Sequence, residues 1–176
     1  MSDQLNRPGF PVAMDVPQGD VVKVTQGMVD EAKAMSQASP RGRIILPFHT
    51  SDDNSLHRMF NVMQIGTYIR AHWHRIPPKD EALIVMEGAI FVVIFDDQGV
   101  ITQTFHLRAG SETFGVDIKG GVCHTFVVLE DDTVVFEAKP GPYNPMTDKD
   151  FATWAPEEGT SEAVTYLEDL ARHAGG

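Results

Sequence analysis

The chain has one cysteine, Cys123, in 176 residues. That excludes an internal disulfide and fits a reducing compartment. It has no apolar run of the ~20 residues that a membrane span needs. Basic residues are scarce: 14 Lys and Arg stand against 25 Asp and Glu, a formal net charge of −11. Binding to nucleic acid needs clustered Lys and Arg, so that class is set aside. The acidic residues are spread along the chain, as on a solvated surface. The start, MSDQLNRPGFPVAMDVPQGD, has no basic patch leading into an apolar run, so no signal peptide is expected. The reading is a cytoplasmic protein, with neither nucleic acid nor membrane as partner. Repeats and low-complexity tracts are also lacking.

What is present is enough apolar residue, 42%, for one domain with a real core. Residues 1–20 read as an irregular arm, and 21–176 as a single domain. Residues 26–38, QGMVDEAKAMSQA, read as a short helix with Met28, Val29, Ala32 and Met35 on one face. Thr25 is placed to cap it and Pro40 to end it. From Arg43 to Lys139, short runs of Val, Ile, Phe and Thr alternate with turn formers. Strands are expected near 43–49, 57–64, 67–74, 81–87, 90–96, 100–107, 112–118, 122–129 and 132–138. DDQG at 96–99 and LEDDT at 129–133 read as hairpin turns. So many short strands point to a sandwich or barrel. After Pro140, Phe151 and Trp154 are expected to pack an apolar wrap back onto it. A terminal helix follows at 160–174, capped by Thr160 or Ser161, with Val164, Leu167 and Leu170 as its stripe. Met59, Met63 and Met86 read as core filling.

The stretch AHWHRIPPKDEALIVMEG, 71–88, carries the chemistry. On a strand, residues two apart share a face, so His72 and His74 project together. The loop RIPPKD then returns the chain to Glu81. His124, after the glycine turn in GGVCHTFVV, is placed to join them from a later strand. Three imidazoles and a carboxylate suit a divalent first-row metal, and Fe, Mn, Ni and Zn all accept such a set. A lone strand histidine is ordinarily structural, which is the reading for His57, His106 and His173. By alternation Cys123 faces away from His124, as a buried inert thiol. His49 and Tyr68 are the candidate proton-transfer residues, with a structural role as the competing reading for each. Arg58, Arg70 and Lys79, with Arg41 and Arg43 nearby, are candidates to bind an anionic ligand.

These residues resemble the cupin signature. Its first motif is a glycine, five residues, His-x-His, a short gap, Glu, six residues and a glycine. Gly66, His72, His74, Glu81 and Gly88 follow it, except that six residues separate His74 from Glu81 where three or four are usual. The second motif is matched in part, by Gly121 and His124, while Lys119 and Val128 replace its proline and asparagine. The stretches SPRGR, HRMFNVMQIGTYIRAHWH and GPYNPMTDKDFATWAPEEG are similar to the WbuC family of cupin-fold metalloproteins. Where that family has a proline before the paired histidines, this chain has Ala71. The resemblance implies a mainly β fold, a double-stranded β-helix of the jelly-roll kind with short N- and C-terminal helices. It implies a metal held by His72, His74, Glu81 and His124, and a carbohydrate context, since the family is named for a gene of O-antigen clusters.

Three functions are carried forward. One is a metal-dependent isomerase, epimerase or dioxygenase acting on a small polar or carbohydrate-derived substrate. Another is a non-catalytic barrel that binds or senses a small molecule beside a metal. The third is a metal-free structural barrel. A homodimer is expected, because open sheet edges invite a neighbour.

Overall fold

The computed structural model describes residues 9–175. In chain order they form α1 (Gln26–Ala38), β1 (Arg43–Pro47), β2 (Leu56–Met63), β3 (His72–Trp73), β4 (Glu81–Glu87), β5 (Ala89–Phe95), β6 (Ile101–Arg108), β7 (Gly115–Ile118), β8 (Cys123–Val128), β9 (Thr133–Pro140), β10 (Asp150–Phe151) and α2 (Ser161–Ala174). Two antiparallel five-stranded sheets face each other, in the orders β1-β2-β9-β4-β7 and β10-β3-β8-β5-β6. This is the expected jelly-roll architecture with its two short helices. Residues 1–8 of the expected arm lie outside the described residues; residues 9–20 are irregular apart from a bridge between Ala13 and Ile45.

The layers follow from side-chain alternation. On β5, Ile90 and Val92 enter the core between the sheets, while Phe91, Val93 and Phe95 pack outward with Ala155 and Leu170. Both faces are covered, which is why AIFVVIF is apolar without a break. α1 covers the other sheet through Val29 and Ala32, against Ile44, Leu46, Phe60, Val62 and Val134. The order is therefore helix, sheet, sheet, helix.

Several expectations are corrected. The strand expected at 67–74 is reduced to His72–Trp73. The carbonyls before it are taken by other donors: Tyr68 accepts from Arg43, Ile69 from Thr125 Oγ1, and Arg70 from the His72 ring. LEDDT is not a hairpin turn, because β8 and β9 belong to different sheets and the segment crosses between them. DDQG does close a hairpin, with Gly99 N–H donating to Asp96 and Asp96 N–H to Val100. Met86 is 51% exposed, on the solvent side of β4, and Val164 is 55% exposed on α2, whose inner face is carried by Ala163 and Leu170. Thr25 occupies the cap position of α1 but its side chain makes no capping bond.

Candidate metal centre

The barrel interior is graded by the same alternation. On β4, Leu83 and Val85 line the apolar core, so Glu81 shares their inward face. On β9, Val135 lies in that core, and Glu137 and Lys139 follow at the same parity. On β2, Met63 is in the core and Asn61 shares its face. On β8, Phe126 and Val128 are in the core, so His124 faces inward too. One end of the barrel is thus apolar and the other polar. Cys123, at the opposite parity, is buried among Trp73, Phe95 and Val127, and burial pushes its thiol up to about 12.

His72 stands opposite His124 across the β3–β8 pair. The nitrogen atoms offered by His72, His74 and His124 all lie within 4.8 Å of one another. Glu81, reaching in from the other sheet, places Oε2 3.0 Å from His74 Nε2 and Oε1 4.0 Å from His124 Nε2. The six-residue RIPPKD loop does not displace it. The carbonyl of His74 accepts from Lys79 N–H and from Gly121 N–H, which ties that loop to the turn before His124. Gly120 is needed there, since a Cβ would stand 2.6 Å from the Lys79 nitrogen.

Each ring is oriented from behind. His72 Nδ1–H donates to the Arg70 carbonyl at 2.9 Å, His124 Nδ1–H to Val122 at 3.0 Å, and His74 Nδ1–H to the carbonyl of Asp148. That leaves Nε2 as the lone-pair atom of each imidazole. Nε2 of His74 and of His124 is buried with no hydrogen bond; the Glu81 contact is close but poorly aligned. Burial holds His72 and His124 below their ordinary values, so both are neutral near pH 7. Burial alone would raise Glu81, but the neighbouring ammonium of Lys139 is among the contacts that hold it below its ordinary value, and it is ionised. Two orphaned nitrogens, the neutral imidazole of His72 and an ionised carboxylate are the donor set of a divalent cation. The residues present therefore fit a metal.

Two members of the cluster, His72 and Glu81, line a cavity of about 290 Å³. Its other walls include Glu137, Lys139 and Lys149 and also Arg41, Arg43, Arg70 and Glu158. The Glu158 carboxylate bridges Arg41 Nε at 2.8 Å and Arg43 Nη2 at 2.9 Å. Asn61 Nδ2 donates to Glu137 at 2.6 Å, and Lys139 Nζ lies 3.2 Å from the same carboxylate.

His49 does not line the cavity; it stacks on His57 at 4.1 Å and its Nδ1 meets the backbone of Arg58. Tyr68 is buried away from the cavity, with its hydroxyl donating to the Pro156 carbonyl and its proton held more tightly than usual by burial. Arg58 is exposed and donates to the Phe48 carbonyl. Lys79 is buried, with its ammonium committed to Asp148 and the Pro142 carbonyl. Of the five cations expected to bind an anionic ligand, Arg41, Arg43 and Arg70 line the cavity, Arg70 with Nη2 on the Ala152 carbonyl, and Arg58 and Lys79 do not. Sequence reasoning missed Glu137, Lys139, Asp148 and Lys149. The first two carried a signal: charges at alternate positions of the strand TVVFEAKP, on the face of Val135.

Residues 24–107 match the family model described as a domain of unknown function, DUF6016. No curated protein matches the chain. Among solved structures, CapF with the inhibitor 3-isopropenyl-tropolone is similar at 21% identity and a TM-score of 0.50, over 61% of this chain and 30% of that one. KdgF from Halomonas sp. is similar at 21% identity and a TM-score of 0.45, over 59% and 82%. A single-residue variant of oxalate decarboxylase from Bacillus subtilis is similar at 17% identity and a TM-score of 0.44, over 56% and 24%. The match thus spans under a third of the CapF and oxalate decarboxylase chains. Likeness at this identity speaks to the fold alone. The likeness to CapF, together with the two facing sheets, gives this chain the cupin fold.

Proposed function

We propose that the chain is a metal-dependent cupin of the WbuC kind that acts on a small anionic or carbohydrate-derived molecule, in an isomerisation, epimerisation or dioxygenation. His72, His74, His124 and Glu81 would hold the metal. The observation that carries the reading is the pair of buried, unbonded Nε2 atoms of His74 and His124 beside the Glu81 carboxylate, with His72 and Glu81 lining a cavity that Arg70, Lys139 and Lys149 also line. A divalent ion there, Fe, Mn, Ni or Zn, supplies Lewis acidity toward a carbonyl or hydroxyl. Arg70 and Lys149 supply positive charge for an anionic ligand. Lys149, whose ammonium is pushed below its ordinary value by burial and by Lys139, replaces His49 and Tyr68 as the candidate proton donor. We further read 21–176 as one domain, working in the cytoplasm as a homodimer. No described helix is long and apolar enough to cross a membrane.

The test is elemental analysis of the purified protein beside His72→Ala and His124→Ala. Near-stoichiometric metal in the parent, lost from both variants, is the expected result. A parent protein free of metal overturns the reading.

A second reading, a cupin that binds or senses its ligand without turnover, is favoured by one observation. Both residues expected to transfer protons lie outside the cavity. The two readings part at Lys149→Met: an enzyme loses turnover while keeping its metal, and a binding module changes only ligand affinity.

A further inference from the structure

After β9 the chain leaves its sheet at Pro140, passes behind the histidine cluster and rejoins the other sheet as β10 beside β3, pairing Phe151 with His72 and Asp150 with Trp73. Within this strap, Asp148 is 3% exposed and meets the centre in two ways. Its backbone carbonyl accepts the Nδ1 proton of His74. Its carboxylate is held by Lys79 Nζ at 2.9 Å and Lys139 Nζ at 3.1 Å. Lys79 also donates to the Pro142 carbonyl at 2.6 Å, near the start of the strap. His72 and His124 are aimed by carbonyls two residues away, within their own stretches of chain. His74 is aimed by a residue 74 positions further along.

We propose that Asp148 is the positioning residue of the metal centre, and that metal occupancy and docking of the strap 141–152 are one coupled equilibrium. The inference rests on the metal reading above. With the strap docked, His74 Nδ1 is satisfied and its Nε2 stays on the site. With the strap lifted, the ring loses that restraint. Removing the Asp148 charge leaves the buried ammonium of Lys79 with the Pro142 carbonyl alone and Lys139 with Glu137 alone, which drives the strap off. Coupling is reciprocal, so a metal that prefers the aimed ring also holds the strap down.

The experiment titrates Co(II) into chelator-treated protein and follows its visible absorption, for the parent and for Asp148→Asn. The expected result is affinity about 10–100-fold weaker, with a changed absorption spectrum as His74 leaves the coordination sphere. A residue that only stabilises the fold would lower the melting temperature of the metal-free protein and leave affinity and spectrum alone. Should the variant fail to fold, hydrogen exchange in the parent decides. Amides of 143–152 then exchange more slowly with Co(II) than without, by more than those of the distant β6. Unchanged affinity and spectrum, or strap exchange indifferent to Co(II), overturns the proposal. Equal Co(II) binding by the parent and by Asp148→Asn removes this inference alone. A parent that takes no Co(II) removes the metal reading with it.

Discussion

At Gly88 the chain turns from β4 in one sheet to β5 in the other. Its φ is +75°, and a Cβ would meet Thr133 Oγ1 at 2.2 Å and Thr133 Cα at 3.0 Å. Gly110 has a similar φ, +71°, with nothing within 4 Å of where a Cβ would stand. Gly110→Ala is therefore expected to cost only the backbone term, about 1 kcal/mol. Gly88→Ala adds overpacking against a neighbour that cannot retreat, for a total of about 3 kcal/mol. Denaturant titration of the two variants checks this, and equal losses would refute the steric part. Individual site residues are legible in the sequence to an uneven degree. His72 and His74 stand out because spacing alone decides whether two side chains share a face. Lys79 is misread because its partner, Asp148, lies 69 residues away and no local pattern announces it. Tyr68 is misread because the segment before β3 is not a regular strand, so alternation has nothing to act on.

Among the elements, the two helices begin differently. Thr160 accepts from Ala163 N–H at 3.2 Å, while Thr25 makes no such bond. Thr160→Ala is expected to cost about 1 kcal/mol and Thr25→Ala a few tenths. Thermal melts of both compare them directly, and comparable shifts would mean that the cap bond contributes nothing. Strand positions are readable because β-branched runs and turn formers mark them. Sheet membership is not. LEDDT has the composition of a tight turn, yet it carries the chain from one sheet to the other, and composition does not distinguish the two uses. β10 is two residues long, below anything a periodicity can register.

For the whole molecule, the graded barrel has an energetic consequence. Buried imidazoles with unbonded nitrogen are tolerated at a cost, and a bound cation removes it. Saturating metal at about a hundred times its dissociation constant is expected to add about 2.7 kcal/mol to stability. Melting with chelator and with added Mn(II) measures this, and the difference should vanish in His124→Ala. Identical melting temperatures in the parent would show that Mn(II) does not bind the folded state. The fold class is legible because a jelly roll writes its strands as many short alternating runs. The polar end of the barrel is legible only in part, since Glu137 and Lys139 look like ordinary strand charges until Val135 fixes which way they point.

The strap also sets an order of events during synthesis. A chain emerging from the ribosome presents His72, His74, Glu81, His124 and the strands β1 to β9 before it presents Asp148. The barrel can begin to assemble N-terminal part first, but the ring of His74 has no partner for its Nδ1 proton until residue 148 has emerged and crossed back. On the proposed coupling, capture of a metal would be among the last steps of maturation, and a nascent chain stalled short of the strap would hold the candidate ligands without the means to aim them.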